Sequence, residues 1–327
     1  MRISRRRFLD LAAGAVVLPA MLPAMPRLAR ADAYPARPVR MVVGFPASNA
    51  SDIVARLAAE KLSQRLGQSF VVENRPGAAG NIGVEFVVNA TPDGYTLLAA
   101  SASAAINASL YNDLHFNFLR DTTAVAGVAQ APYLLVVNPA FPAASVAEFI
   151  AYIKANPGKI NMASAGTGSL SHLCGALFMN MAGIDMVHVP YRTSFLPDLL
   201  AGQVQVVFSP ISQSIAYIRG GKLRVLGVTS AARQAALPDV PALAEFVPGY
   251  EASGWYGICA PKATPGEIVD RLGQAMRAGV ADADMTTRLN DLGAVPMPAT
   301  PAEFGSFLAA DTEKWRKVIS TSNIKIE

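Results

Sequence analysis

Short strand-like runs alternate with helix-like runs along most of this chain, and the alternation limits its fold more than any other feature. Apolar or β-branched runs at residues 39–44, 70–73 and 95–100 predict three strands, and the apolar spacing at residues 53–66 predicts a helix after the first one. Turn-forming stretches rich in Asn, Pro and Gly separate these elements. Strands that alternate with helices form βα units, so we expect an α/β fold built on a mainly parallel sheet.

A second series of the same kind follows, and helices dominate the end of the chain. Near that end, Thr264 and Thr300 each precede a Pro and are predicted to cap a helix. Residues 34–327 exceed what one hydrophobic core usually supports, so we expect two domains. The strands of the second series are predicted at residues 133–138, 160–163, 186–191, 204–208 and 223–229. Its helices are predicted at residues 145–155, 170–181, 196–201 and 212–219.

Residues 1–33 are interpreted as an export signal that is not part of the folded protein. The run SRRRFL at residues 4–9 is typical of a twin-arginine signal, and an apolar stretch at residues 11–25 follows it. That stretch is short and interrupted by proline, whereas a membrane-spanning helix needs about 20 apolar residues. Ala31 and Ala33 supply a small-x-small cleavage site, so we expect a periplasmic mature chain that begins near Tyr34.

The basic isoelectric point of the whole chain comes from this leader. Residues 1–33 hold six Arg and two Asp, which leaves 22 basic and 22 acidic side chains in residues 34–327. The mature chain therefore has no net charge, which argues against a nucleic-acid or anionic-membrane partner.

Of the two cysteines, Cys174 lies in a helical pattern and Cys259 in a strand pattern 85 residues away. Export to an oxidising compartment permits a disulfide, but this placement favours two buried free thiols. Neither cysteine has the histidine spacing of a zinc site, and we predict no metal and no cofactor.

The stretch VGFPASNASD at residues 43–52 lies where the first strand passes into the first helix. Small residues allow a ligand to approach the backbone closely, and the N–H groups of a helix N-terminus favour negative charge. Asp52 already satisfies part of that preference, so we expect a carboxylate ligand to be held by amides and hydroxyls. The alternative interpretation is an ordinary capped surface loop.

A second loop, SAGTGSLSH at residues 164–172, has the same strand-to-helix placement in the other predicted domain. The two loops are placed to close on one small molecule from opposite sides. Gly166 and Gly168 also match the first two glycines of a dinucleotide-binding fingerprint, but Ser171 occupies the position of the third glycine. Ser169 and His172 lie on one helical turn and could act as a nucleophile and its base. A third group that would orient the base is not evident in the sequence. An exported oxidoreductase or serine hydrolase is therefore the alternative to a binding protein.

Two aromatic residues and two histidines near these loops are interpreted as follows. Trp255 and Tyr256 either wall the cleft or belong to the core, with equal support. His188 is interpreted as a strand residue and His172 as a helix residue near the cleft.

These residues resemble the Bug family, the periplasmic substrate-binding proteins of tripartite tricarboxylate transporters. The resemblance implies a non-enzymatic receptor with two lobes that closes on a small carboxylate and acts with integral-membrane permease subunits or a sensor. The stretches that carry it run almost end to end: GFPA (44–47), SDIVAR (51–56), VVENRPGA (71–78), GNIG (80–83), PDGYTL (92–97), ANPGK (155–159), VHVPYR (187–192) and AP before TP (260–265).

The family's fold implies a type II periplasmic-binding-protein clamshell, in which each lobe is a mainly parallel sheet flanked by helices. Lobe 1 is expected at residues 34–131 and 257–327 and lobe 2 at residues 132–256, in a monomer. Matching by position implies these ligand-binding residues: Phe45, Pro46, Ala47, Asn49, Ser51, Ser101, Ser103, Thr167, Gly168, Ser169, His172, Phe208 and Ser209.

The chain also departs from the family pattern at the expected cleft. Ser48-Asn49 replaces the usual Gly-Gly, and Asn tolerates the positive φ of such a turn. The segment after Tyr191, beginning at Arg192-Thr193, is about two residues shorter than usual. Gln205 and Ser209 stand where acidic residues are common, which favours an anionic ligand as a hypothesis.

Overall fold

The computed structural model describes residues 34–191, 194–234 and 237–325. The predicted signal, its cleavage site and the Arg192-Thr193 pair lie outside the described residues. Ten strands are described: β1 Val39–Val43, β2 Phe70–Asn74, β3 Thr96–Ser101, β4 Thr122–Val137, β5 Asn161–Ser164, β6 Val187–Pro190, β7 Val206–Pro210, β8 Arg224–Val228, β9 Ser253–Pro261 and β10 Val295–Pro296. The α-helices are α1 Ala50–Leu66, α2 Asn81–Val88, α3 Ala102–Leu110, α4 Phe118–Asp121, α5 Val146–Ala155, α6 Leu170–Ala182, α7 Leu196–Leu200, α8 Ile211–Arg219, α9 Gly266–Val280, α10 Ala283–Asp291 and α11 Pro301–Thr321.

These strands form a curled mixed sheet in the order β2-β1-β3-β9-β4-β7-β5-β6, with β8 and β10 paired to β4. The strands β2, β1 and β3 are parallel, as are β7, β5 and β6. The pairs that involve β9, and those between β4 and its partners, are antiparallel. The predicted α/β class is confirmed, and the parallel ladders lie in the two outer parts of the sheet.

The long strand β4 joins these two parts. Its first segment, from Thr122 to Pro132, pairs with β9, and from Tyr133 onward it pairs with β7 and β8. The sequence predicted only the second segment, because the first is rich in Ala and Gly and lacks strand periodicity. The change of partner at Pro132 agrees with the expected lobe boundary, and the division into lobes stays a prediction.

Alternate side chains of β4 enter different parts of the core. Leu135 and Val137 belong to a cluster that includes Phe149 and Phe178, whereas Leu134 packs in a second cluster beyond the other face. This alternation follows from the two-residue period of a strand. The centre of the sheet is therefore covered on both faces, and the strand ends remain available to build a site.

One predicted helix cap is correct and the other is wrong. Thr300 caps α11, and Glu303 completes the capping box, as expected. Thr264 does not cap α9, because that helix takes Pro265 as its N-cap and begins one residue later than predicted. Thr264 instead donates its N–H to the Pro261 carbonyl in a turn, and its hydroxyl is buried.

Cys174 and Cys259 are both free and buried, as predicted. Burial raises the pKa of the Cys259 thiol to about 12, so this thiol is protonated at neutral pH. Among the helices of the described segments, none is long and apolar enough to cross a membrane.

Close backbone contact fixes the end of β1, from which the first loop starts. A Cβ atom added at Gly44 would lie 2.7 Å from the Gly80 carbonyl oxygen. A Cβ atom added at Gly83 would lie 2.8 Å from the Gly44 Cα. Only glycine permits this approach, so α2 and the end of β1 hold each other in place.

We predict that Gly83→Ala lowers the free energy of unfolding by about 1–3 kcal/mol, because the new methyl group meets backbone that cannot rotate away. The measurement is urea unfolding followed by circular dichroism. Gly266→Ala is the matched control, since a Cβ atom there meets nothing within 4 Å. An equal effect of both substitutions would contradict the close contact.

Candidate functional site

A cavity of about 520 Å³ lies where several strands pass into helices. The first turns of α1, α3 and α8 and the first residue of α6 line it, together with β4 at residues 131–133 and β9 at residues 254–256. The turn at residues 292–294, after α10, completes the wall. The site therefore collects residues from widely separated parts of the chain.

Two of the helix N-termini at the cavity have no side-chain cap. Ser101 occupies the N-cap position of α3, and Pro210 that of α8, and neither makes a side-chain capping hydrogen bond. The first N–H groups of a helix have no partner within the helix, and they carry partial positive charge. By contrast, Asn49 caps α1 by accepting the Ser51 N–H at 2.6 Å. Ser169 likewise caps α6, so the cavity combines two capped and two uncapped helix N-termini.

The described residues that line the cavity include no Asp, Glu, Lys, Arg or His. Their polar side chains are serines, Asn49, Gln213 and two tyrosines. Apolar side chains such as Phe45, Ile53, Leu170 and Ile211 supply much of the remaining wall. No described charged side chain borders the cavity, and the helix N-termini place partial positive charge at its wall.

Asp52, in the first turn of α1, is kept out of the cavity by its own partners. Its carboxylate accepts hydrogen bonds from Arg56 Nε at 2.9 Å and Asn74 Nδ2 at 2.8 Å. The Ser48 N–H also donates to it at 2.9 Å. Asn74 Nδ2 further donates to the Phe45 carbonyl at 3.0 Å. This network, which we call the Asp52 cluster, holds both ends of the first loop.

The Asp52 cluster also has an electrostatic consequence. The hydrogen bond from Arg56 lowers the pKa of the buried Asp52 carboxyl to about 2, so this carboxylate is ionised at neutral pH. Its charge is compensated by Arg56 at 2.9 Å. Asp52 therefore does not oppose a second anion at the α1 N-terminus as strongly as the sequence alone suggested.

The turn of the first loop differs in detail from the expectation. The positive φ of 67° falls on Ser48, whereas Asn49 is extended, with φ at −81°. Asn49 must be extended because its side chain caps α1. The bond from the Ser48 N–H to Asp52 compensates for the left-handed conformation of a non-glycine residue.

The second loop is closed by bonds among its own residues. Ser169 caps α6 by accepting the His172 N–H at 3.3 Å, and its hydroxyl donates to the Gly166 carbonyl at 2.7 Å. The Gly168 N–H donates to His172 Nδ1 at 3.1 Å. The Gly166 N–H donates to the Ser164 hydroxyl at 3.1 Å.

These bonds explain why neither enzyme interpretation fits the second loop. The Ser169 hydroxyl points to a backbone carbonyl, and His172 Nδ1 already has a donor, so the two do not form a nucleophile and base. The N–H groups of Gly166 and Gly168, which would hold a pyrophosphate, are bonded within the loop.

The structure brings five of the thirteen predicted binding residues to the cavity wall: Phe45, Asn49, Ser51, Ser101 and Ser103. The other eight do not line it: Pro46, Ala47, Thr167, Gly168, Ser169, His172, Phe208 and Ser209. Pro46, Ala47 and Thr167 are exposed nearby, whereas Phe208 and Ser209 are fully buried. The first loop and Leu170 of the second loop share the cavity. Ligand contact by all thirteen stays a prediction.

Sequence reasoning missed part of the wall. Ser212 and Gln213 lie at the start of α8, after β7, and the strand-to-helix signal used for the two loops would have found them. No local sequence pattern marks residues 292–294, because only the tertiary fold brings them to the cavity wall. Trp255 borders the cavity with a fully buried indole that donates to Asp311 at 2.7 Å, so that side chain belongs to the core.

A cavity at the strand ends of an α/β sheet, between helix N-termini, is a ligand-binding site. The chain belongs to the tripartite tricarboxylate transporter family receptors, since that family model matches residues 54–324. Its relative BugT of Bordetella pertussis is 35% identical over 302 residues, which cover 91% of this chain and 93% of BugT. The predicted membership of the Bug family is therefore confirmed, and the protein is a receptor and not an enzyme.

Solved structures of similar proteins agree with the fold. Rpa4515 of R. palustris with adipate is 34% identical with a TM-score of 0.76, and the match covers 89% of this chain and 99% of that one. MatC of Rhodopseudomonas palustris with bound malate is 31% identical with a TM-score of 0.71, and the coverage is 88% and 100%. The periplasmic binding protein BugD is 34% identical with a TM-score of 0.72, over 90% and 100%.

We predict that Asp52→Asn lowers the free energy of unfolding by about 1–3 kcal/mol at pH 7, because it removes the charge from the hydrogen bonds of the Asp52 cluster. The pKa of Asp52 is lowered from 3.8 to about 2 on folding, so this contribution is present above pH 3.8 and is lost as the pH falls through 2. Chemical unfolding of the wild type and the variant at several pH values measures it.

Glu313→Gln is the control for this prediction. Glu313 pairs with Arg316 on the surface of α11, where both side chains are about half exposed. Surface pairs of this kind contribute little to stability. If the two variants lose the same stability, the Asp52 cluster is not what holds the first loop.

Proposed function

We propose that this protein is a periplasmic receptor that binds a small organic acid, a carboxylate or dicarboxylate, in the cavity between α1, α3 and α8. The observation that carries the proposal is a wall without described charged side chains, onto which two uncapped helix N-termini open. Such N-termini are anion-binding sites, because their free N–H groups and the helix dipole both favour negative charge.

The relatives support the same class of ligand. Rpa4515 and MatC are similar to this chain over most of their length and hold adipate and malate, both dicarboxylates. Two uncapped N-termini, those of α3 and α8, offer a partner for each end of a diacid. The apolar wall between them, including Phe45 and Leu170, suits a body of methylene groups.

The same wall argues for selectivity against amino acids. No described lining residue is Asp or Glu, so a ligand ammonium group finds no carboxylate partner there. A buried charge without a partner is costly, and the receptor is expected to discriminate against it.

Ligand binding is proposed to close two lobes, residues 34–131 with 257–327 against residues 132–256. Two contacts join these segments beside the cavity. Leu110 of α3 packs onto Gly168 so closely that a Cβ atom there would overlap its side chain. A Cβ atom at Gly293 would lie 2.8 Å from the Ile211 Cβ. A ligand that contacts both segments only when they are close shifts the population toward the closed form.

The partner and the cellular location rest on the family and the leader. We propose export by the twin-arginine route with cleavage near Ala33, and delivery of the acid by a monomer to integral-membrane permease subunits or to a sensor.

We predict that adipate or malate raises the thermal unfolding midpoint of the mature protein, whereas the diamide of adipic acid and aspartate do not. A ligand at one hundred times its Kd adds about 2.7 kcal/mol, which is a shift of several degrees for a chain of this size. Differential scanning fluorimetry measures it, with a wider panel of mono-, di- and tricarboxylates. If no carboxylate moves the midpoint, the proposed ligand class is wrong.

A cavity-filling variant tests the location of the site. Ser103→Phe places a large ring on the cavity wall and is expected to abolish the carboxylate-dependent shift. Ser306→Phe makes the same change at an exposed position of α11 and is expected to keep the shift. A shift retained in Ser103→Phe would place the ligand elsewhere.

A further inference from the structure

Two imidazole rings lie face to face beneath the second loop. The rings of His172, in α6, and His188, in β6, are 3.6 Å apart between centroids and within 4° of parallel. His172 is almost fully buried, and His188 is partly buried. Neither ring lines the ligand cavity.

Each ring is bonded to a different end of the loop. His172 Nδ1 accepts the Gly168 N–H at 3.1 Å. His188 Nε2 lies 2.6 Å from the Ser164 hydroxyl, which also accepts the Gly166 N–H at 3.1 Å. The second loop is therefore attached to the imidazole pair at its first residue and at its glycine turn.

The bond to His172 requires this ring to be neutral. An imidazole that accepts a hydrogen bond at Nδ1 carries its proton on Nε2 and has no charge. Two protonated rings stacked at 3.6 Å would repel each other strongly with little water between them. Burial and His188 lower the pKa of His172 to about 3, and burial lowers the pKa of His188 as well.

We propose that His172 and His188 are positioning residues for the ligand site: they hold the second loop so that Leu170 lies on the cavity wall and Gly168 packs against Leu110 of α3. This inference rests on the proposed function. It replaces the expected role of His172, which was direct contact with the ligand.

The loop connects the pair to the cavity in two ways. Leu170, the first residue of α6, lines the cavity, and its helix begins at the cap formed by Ser169. Gly168 has a φ of 76° and lies against Leu110 of α3, whose N-terminus also borders the cavity. A loop that loses its bond at Gly168 would no longer present this surface to α3.

The surroundings supply no described charge that would protonate the pair. The pKa of His172 is lowered mainly by burial and then by His188, and that of His188 is lowered by burial. Tyr191 follows β6 and bonds Ser164 through its backbone N–H, but its hydroxyl donates to Asp198 at 2.6 Å.

Matched substitutions at both rings test the proposal. In His172→Asn the amide oxygen replaces Nδ1 as an acceptor, whereas His172→Leu fills the space without one. In His188→Gln the amide replaces Nε2 as the partner of Ser164, whereas His188→Leu does not. We expect each Leu variant to weaken binding of adipate, or of the tightest acid from the panel, about tenfold, which one lost hydrogen bond explains. The Asn and Gln variants are expected to retain most of the affinity.

Two controls separate positioning from general damage. His115→Leu changes the chain's third histidine, which is exposed, and is expected to leave affinity unchanged. Because the pKa of His172 is lowered from 6.5 to about 3 on folding, its neutral form stabilises the protein fully above pH 6.5. That contribution is lost as the pH falls toward 3. Unfolding free energies of His172→Asn should therefore fall less steeply than those of the wild type between pH 6.5 and 4.

Several outcomes would overturn the inference. If His172→Asn binds as weakly as His172→Leu, an imidazole contact with the ligand is favoured over positioning. A proton NMR titration of the His172 ring with a midpoint near pH 6.5 would contradict the neutral pair. Unchanged affinity in both Leu variants would show that the second loop does not shape the ligand site. If the wild type binds no carboxylate at all, the proposed function fails, while the pH dependence of stability still tests the pair.

Discussion

The ligand site depends on the hydrogen bonds and the ion pair that hold the buried carboxylate of Asp52. A carboxylate in a helix turn at the wall of an anion-binding cavity repels the ligand unless its charge is compensated. Arg56, Asn74 and the Ser48 N–H compensate that charge and at the same time hold both ends of the first loop. One network therefore sets the shape of the loop and removes the electrostatic objection to an anion beside it.

Both loops are held by groups in their deprotonated forms. The first is held by a carboxylate that must stay ionised, and the second by two imidazoles that must stay neutral. Both conditions hold at neutral pH, and acid removes the contribution of the imidazoles first. Loops that are already ordered lose little conformational entropy on binding, so more of the interaction energy appears as affinity.

Much of the fold could be predicted because its elements are locally encoded. The run from Val39 to Val43 is apolar except for Arg40, and Thr300 with Glu303 forms a capping box that local spacing reveals. The first segment of β4 could not be predicted, because its small residues give no strand pattern and the segment is a strand through its pairing with β9. The site was only partly predictable for a related reason. Residues 292–294 meet Ile211 through the fold, and the role of His172 depends on a partner from another strand.

The central claim is that backbone N–H groups, and not a cationic side chain, hold the acid. A crystal structure of the mature protein grown with adipate tests it most directly. The account predicts a carboxylate oxygen within about 2.7–3.2 Å of N–H groups in the first turn of α3 or α8. A carboxylate paired with a Lys or Arg side chain, or adipate bound outside this cavity, would contradict it.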